Sequence, residues 1–174
     1  MHKARTELYH ALGEVLNYPM NGFNGKLKEI EALLCEEYRD ACVLWQKFID
    51  ALNEKKNAEL EELYVRTFDV QAVSSLDIGY VLFGEDYKRG VFMAELKKEL
   101  RAKNIDCGSE LPDYLPNLMH LIPILADEEK NTLATHALLP ALEKMLGNFK
   151  DTENPYQYLL EIIHHLIEKE IHNV

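Results

Sequence analysis

Two short spacings in this sequence have the form that carboxylate-bridged di-iron bundles use: Glu7-x-x-His10 and Glu161-x-x-His164. Such ligands must project into the core of the bundle. Glu7 and His10 instead share a helical stripe with Lys3, Glu14 and Asn17, opposite Leu8, Leu12 and Val15. His164 and His165 share one with Glu161, Glu168 and His172, away from Ile162, Ile163 and Leu166. Both pairs are therefore expected on solvated faces, and a di-iron oxidase is the alternative rather than the leading reading. His2, His120 and His136 have no regular ligand spacing. Gly84-x5-Gly90 has the outline of a phosphate loop but lacks the Gly-Lys-Ser/Thr ending and follows no strand. No serine occupies a Gly-x-Ser-x-Gly elbow. Cys35, Cys42 and Cys107 form no metal-type pair, and their odd number reads as reduced cytosolic thiols, although Cys35 and Cys42 can face the same way. No catalytic constellation emerges, and the chain is read as not an enzyme.

The elements that position these residues are helical throughout. Leu8, Ala11, Leu12, Val15 and Leu16 follow one apolar face until Pro19, which forces the preceding residue out of the helical region. Leu27, Ile30, Leu33 and Leu34 form a second stripe, and Ala41, Trp45, Phe48, Ile49 and Leu52 a third. Asn57 is expected to cap a helix carrying Leu60, Leu63, Tyr64 and Phe68. A loop over 70–75 leads to a short apolar helix opened by Ser75 and closed by Gly84. From Glu85, the residues Tyr87, Val91, Met93, Leu96 and Leu100 mark another helix. Gly90 lies inside it, at a cost of about 1 kcal/mol relative to Ala that implies a close packing contact. The clearest break spans 104–113. Beyond it Asp113 is expected to cap a helix with Pro116 in its first turn, and Pro140 to kink a later, longer helix. Asn154 and Pro155 fit the start of the last helix, whose stripe is Tyr158, Leu159, Ile162, Ile163, Leu166 and Ile167.

The expected fold is all-α: one domain over 1–174, a bundle of about eight to ten helices with a hinge-like loop near 104–113. With 174 residues, 47% of them apolar and 28% charged, the chain can bury a core, and its scarce Gly and Pro (8 and 6) suit long helices. The formal net charge of −11 opposes phosphate neutralisation and docking on an anionic membrane, so neither nucleic acid nor membrane is expected as a partner. It suits a basic partner segment. The first ten residues hold no apolar signal core and no run is long enough to span a bilayer, which places the protein in the cytoplasm.

What remains is a set of local features without catalytic logic: LNYP at 16–19, YVRTFD at 64–69, SLDIGYVLFGEDYKRGVFMAEL at 75–96 and ELPDYLP at 110–116. In this order, with LLPALEKM and PYQYLLEII later, the chain resembles the NarJ-type redox-enzyme maturation proteins, the delta-subunit chaperones of nitrate reductase, within the TorD/DmsD superfamily. The resemblance covers nearly the whole chain. It implies a cytoplasmic assembly chaperone that binds the apo catalytic (alpha-type) subunit of a nitrate-reductase-like molybdoenzyme through that subunit's N-terminal segment. The chaperone keeps its client competent for molybdenum cofactor insertion before membrane targeting or export. The client would carry bis-molybdopterin guanine dinucleotide and iron–sulfur clusters, with no cofactor on this chain. A monomer or a weak, domain-swapped dimer is implied, and a structural subunit of the mature enzyme is a further alternative. Carried over, the client-binding positions are Tyr64, Phe68, Asp69, Ser75, Leu76, Tyr80, Phe83, Gly84, Arg89, Gly90 and Met93. Glu110, Leu111, Pro112, Asp113, Tyr114, Leu115 and Pro116 complete them. The family motif usually has histidine where Tyr114 stands, so no titrating imidazole is expected there, and Asp113 keeps a capping and shaping role. An apolar groove lined by Tyr64, Phe68, Tyr80, Phe83 and Met93, with acidic residues on its rim, is the expected contact surface.

Overall fold

The stripe beginning at Leu8 folds as α1 (His2–Val15), whose Leu8, Leu12 and Val15 are buried. We describe residues 2–19, 23–70, 72–149 and 153–172 of a computed structural model, with backbone alone for His2, Asn24 and His172. Two helices follow, α2 (Phe23–Glu37) and α3 (Arg39–Asn53), the latter burying Ala41, Trp45, Phe48 and Leu52 as its periodicity predicts. Next come α4 (Asn57–Phe68), α5 (Ile78–Phe83), α6 (Tyr87–Ala102) and α7 (Leu115–Leu121). The chain ends in α8 (Asp127–Leu133), α9 (Leu139–Gly147) and α10 (Tyr156–His172). The fold is all-α, with no strand among the described residues. α1 packs on α2 and α7, and α10 packs on α3 and α9. They enclose a core that the last helix completes with Leu159, Ile162, Ile163, Leu166 and Ile167. No helix among the described residues is long and apolar enough to cross a membrane.

Several local expectations change. Asn57 is the first helical residue rather than the cap; Lys56 precedes it, and its amide donates to Glu59 Oε2 at 2.6 Å. α5 begins at Ile78, because Ser75 Oγ accepts the Asp77 amide (3.1 Å) and holds 75–77 as a turn. Gly84 closes α5 at φ +60°, as its position implies. The break at 104–113 leads into α7, and Asn154 Oδ1 accepts the Tyr156 amide (3.0 Å) in the expected capping manner. Pro140 has no N–H to give the preceding turn, and a π-helical turn at Ala134–Leu138 absorbs the defect between α8 and α9.

On α6 the buried positions are Leu96 and Leu100, whereas Tyr87 and Val91 stay 77% and 58% exposed. Gly90 meets no packing contact: a Cβ there would find nothing within 4 Å. The two Glu-x-x-His elements form no group of three or more potential metal ligands among the described residues. Glu7 is exposed, but His10 and His164 are half-buried rather than solvated, and the His10 ring lies 4.5 Å from that of His120. His172, assigned to the same stripe as His164, and the loop residue Gln71 have no described side chain or placement.

Cys35 and Cys42 were expected as free thiols and are instead joined in a disulfide, with Cα atoms 4.9 Å apart. A separation of seven along one continuous helix would place them about 10 Å apart. Only Tyr38 separates α2 from α3, and the chain's turn there brings the two cysteines together. Cys107 remains free and half-buried.

Candidate functional site

The site is built where the segment before α5 meets the segment before α7. Their backbones exchange two hydrogen bonds, Ile78 N to Asp113 O and Leu115 N to Leu76 O, both 2.8 Å. This short bridge staples SLD to PDYL, although the two lie far apart in sequence. The bridge pairs Asp77 with Tyr114, and next to it Asp113 is fully buried. Asp113 does not cap α7: Tyr114 occupies that position, without a side-chain cap. The carboxylate instead takes a charge-assisted bond from Arg89 of α6, Nε to Oδ2 at 3.0 Å, while Arg89 Nη2 donates to Asp77 Oδ2 at 3.2 Å. A buried charge needs such a partner, and here one guanidinium serves two carboxylates. Asp113 Oδ1 is buried with no hydrogen-bond partner. Burial, and then the Asp113 charge, raise the Asp77 carboxyl above its ordinary pKa despite Arg89. The Arg89 guanidinium also lies 5.4 Å from the centre of the exposed Tyr80 ring.

Gly79 permits this arrangement. A Cβ at that position would lie 2.7 Å from Asp113 Oδ2 and 3.1 Å from both Arg89 Cγ and Phe92 Cδ1. The close approach assigned to Gly90 thus belongs to Gly79.

Beside the bridge opens a cavity of about 540 Å³ lined by Asn17, Tyr18, Tyr64, Phe68, Asp69, Ser75, Leu76, Asp77, Glu110 and Tyr114. A chain of hydroxyls crosses it. The Tyr64 and Tyr114 oxygens are 3.2 Å apart, and Tyr114 donates to Asn17 Oδ1 at 3.2 Å. Burial, followed by the Tyr64 hydrogen bond, pushes the Tyr114 phenol well up. Burial raises Tyr64 as well. Tyr18 donates to Glu61 at 3.0 Å on the exposed edge. The cavity wall continues inward as an aromatic stack: Phe68 lies 5.0 Å from Tyr156, which lies 5.9 Å from Phe48 in the core.

The residues singled out in the sequence are not all brought together. Tyr64, Phe68, Asp69, Ser75, Leu76, Glu110 and Tyr114 share this cavity. Phe83 lies at the other end of α5, in a separate groove of about 550 Å³. Met93 is half-buried and lines neither, and Gly84 and Gly90 sit on loop and helix surface. Leu111 is exposed and Pro112 half-buried, while Leu115 and Pro116 are buried in the core and present no surface. The single groove expected from Tyr64 to Met93 is therefore two concavities. Sequence reasoning passed over Asn17, Tyr18 and Asp77; all three belong to the quoted LNYP and SLD stretches, which was the available signal.

Fold and site together define an all-helical protein whose distinctive residues build a hydroxyl-lined cavity over a buried Arg–Asp pair. No family model matches the chain. It is 25% identical, over 160 residues, to a protein of Bacillus subtilis (strain 168) described as a probable nitrate reductase molybdenum cofactor assembly chaperone NarJ. The match covers 89% of this chain and 85% of that protein.

Proposed function

We propose that this protein is an assembly chaperone, not an enzyme. It binds the N-terminal segment of the apo catalytic subunit of a nitrate-reductase-like molybdoenzyme in the cytoplasm. There it keeps the client competent for molybdenum cofactor insertion until membrane targeting or export. The molybdopterin and iron–sulfur groups belong to the client, and this chain contributes only protein contacts. The 104–113 segment acts as the hinge that lets Glu110 at the cavity rim adjust to the client, while the backbone bridge holds Asp113 and Tyr114 in place. The observation that carries the reading is convergence: four stretches spread from residue 17 to residue 114 meet in one cavity. The helical fold and the chaperone description of the Bacillus subtilis protein support it.

Calorimetry with a peptide of the client's N-terminal segment tests this reading. Phe68→Ala and Glu110→Lys are expected to weaken binding about tenfold or more, as truncation of an anchoring residue does. Binding unaffected by both would remove the cavity from consideration. A structural subunit would remain in the purified, active client complex, and a chaperone is expected to be absent from it.

A further inference from the structure

The groove at the far end of α5 has a different chemistry from the cavity. Its floor is apolar, with Phe83 and Phe92 on one side and Leu125 and Leu133 on the other. Phe83 and Phe92 meet edge to face, with ring centres 5.9 Å apart, and both line the groove. The walls are helical, α6 on one side and α8 with its π-helical continuation on the other. Two turns of α6 place Glu95 and Glu99 along one rim, and Glu128 and Glu129 stand on the other. None of these four carboxylates is in an ion pair among the described residues. Glu129 reaches back only to the Ala126 amide (3.3 Å). No lysine or arginine lines the groove.

Like charges facing one another across an apolar trough repel, and they concentrate the negative potential of a chain whose formal charge is already −11. A ligand that fills the trough and supplies cations relieves both the exposed apolar surface and the repulsion. Two helical walls receive a third helix by ridge-and-groove packing. A second copy of this chain would bring its own −11 against the same field, which disfavours self-association there.

We infer that this groove is a second docking surface, separate from the motif cavity, for an amphipathic helix of another protein whose apolar stripe is flanked by lysine or arginine. Its apolar anchors rest on Phe83, Phe92, Leu125 and Leu133, and its basic flanks face the two glutamate rims.

The probe is a labelled, designed 18-residue helix with a leucine stripe and lysines elsewhere, followed by fluorescence anisotropy. A charge-reversed control keeps the stripe and carries glutamates. The lysine helix is expected to bind and the glutamate helix not to bind. Glu95→Lys combined with Glu128→Lys, both at exposed positions, is expected to weaken binding about tenfold, or about 1.4 kcal/mol. Glu36→Lys with Glu37→Lys changes the net charge equally outside the groove and is expected to leave the affinity within about twofold, since surface charges beyond a Debye length are screened. Equal effects of the two double variants would mean general attraction to an acidic protein and overturn the inference, as would equal binding of both peptides. A dimer in sedimentation that Glu95→Lys with Glu128→Lys dissociates would also overturn it, by making the groove a self-interface.

Discussion

The two concavities at either end of α5 are nearly equal in volume, about 540 and 550 Å³, and are held in opposite ways. The motif cavity depends on specific partners: a buried carboxylate on one guanidinium, a two-bond backbone bridge and a glycine where no Cβ fits. The groove depends on ordinary apolar side chains of amphipathic helices with glutamates at their edges. A single change should therefore damage the cavity through the fold, whereas the groove should tolerate changes that alter only what it binds. The cavity is built to keep one shape, and the groove to present a surface.

The largest break in this comparison is expected from Asp113→Ala. Read as a helix cap, Asp113 would contribute about 1 kcal/mol. Read as the buried partner of Arg89, its removal leaves a poorly compensated guanidinium and should cost about 3 kcal/mol. Urea unfolding distinguishes the two values. A loss near the lower one would mean that Asp77 alone satisfies Arg89 and that the buried pair contributes little. Glu128→Lys, on the groove rim, should change stability by about 0.5 kcal/mol or less.

Two glycines, eleven residues apart, sharpen the contrast. Gly79→Ala drives a methyl into Asp113 Oδ2, Arg89 and Phe92 and is expected to cost about 2 kcal/mol, the usual scale of overpacking. Gly90→Ala, in open space on the exposed side of α6, is expected to raise stability by about 1 kcal/mol through helix propensity. Thermal unfolding of the pair should move in opposite directions. Destabilisation by both would show that α6 near Gly90 is packed more closely than the structure places it.

That pair also shows what could be read from the sequence. The stripes Ala41–Trp45–Phe48–Leu52 and Leu159–Ile162–Ile163–Leu166 were legible because burial imposes the 3.6-residue period directly on residue type. Caps at Gly84 and Asn154 were legible because local backbone chemistry selects those residues. Non-local partners were not. Nothing near Asp113 indicates that Arg89, twenty-four positions earlier, neutralises it, so capping was the only local role available. For the same reason the tight glycine was placed at 90, where helix propensity makes the anomaly visible, and not at 79. The disulfide escaped because it depends on a one-residue break at Tyr38. The motif stretches could be recognised singly; that Asn17 and Asp77 complete their cavity required the fold. Of the groove only Phe83 was marked, as part of the single contact surface expected from Tyr64 to Met93, since Phe92, Leu125 and Leu133 are ordinary apolar residues at helical positions.

The smallest expected effect concerns protons and tests which force dominates at the Arg89 junction. Burial and Asp113 raise the Asp77 carboxyl above its ordinary value of 3.8, against the pull of Arg89. A carboxyl whose pKa is higher folded than unfolded favours the folded state most below its unfolded pKa. That contribution is lost as the pH rises through the folded value. The stability of the protein relative to Asp77→Asn should therefore be greatest near pH 4 and decline towards neutrality. Comparing the two proteins' urea midpoints at pH 4, 5, 6 and 7 cancels the titration of the histidines, which both retain. A difference that grows with pH would mean that attraction to Arg89 outweighs burial and the Asp113 charge. The junction would then be an ion triad in which the attraction of Arg89 for Asp77 exceeds the cost of its burial, instead of a buried Arg89–Asp113 pair that Asp77 only shares.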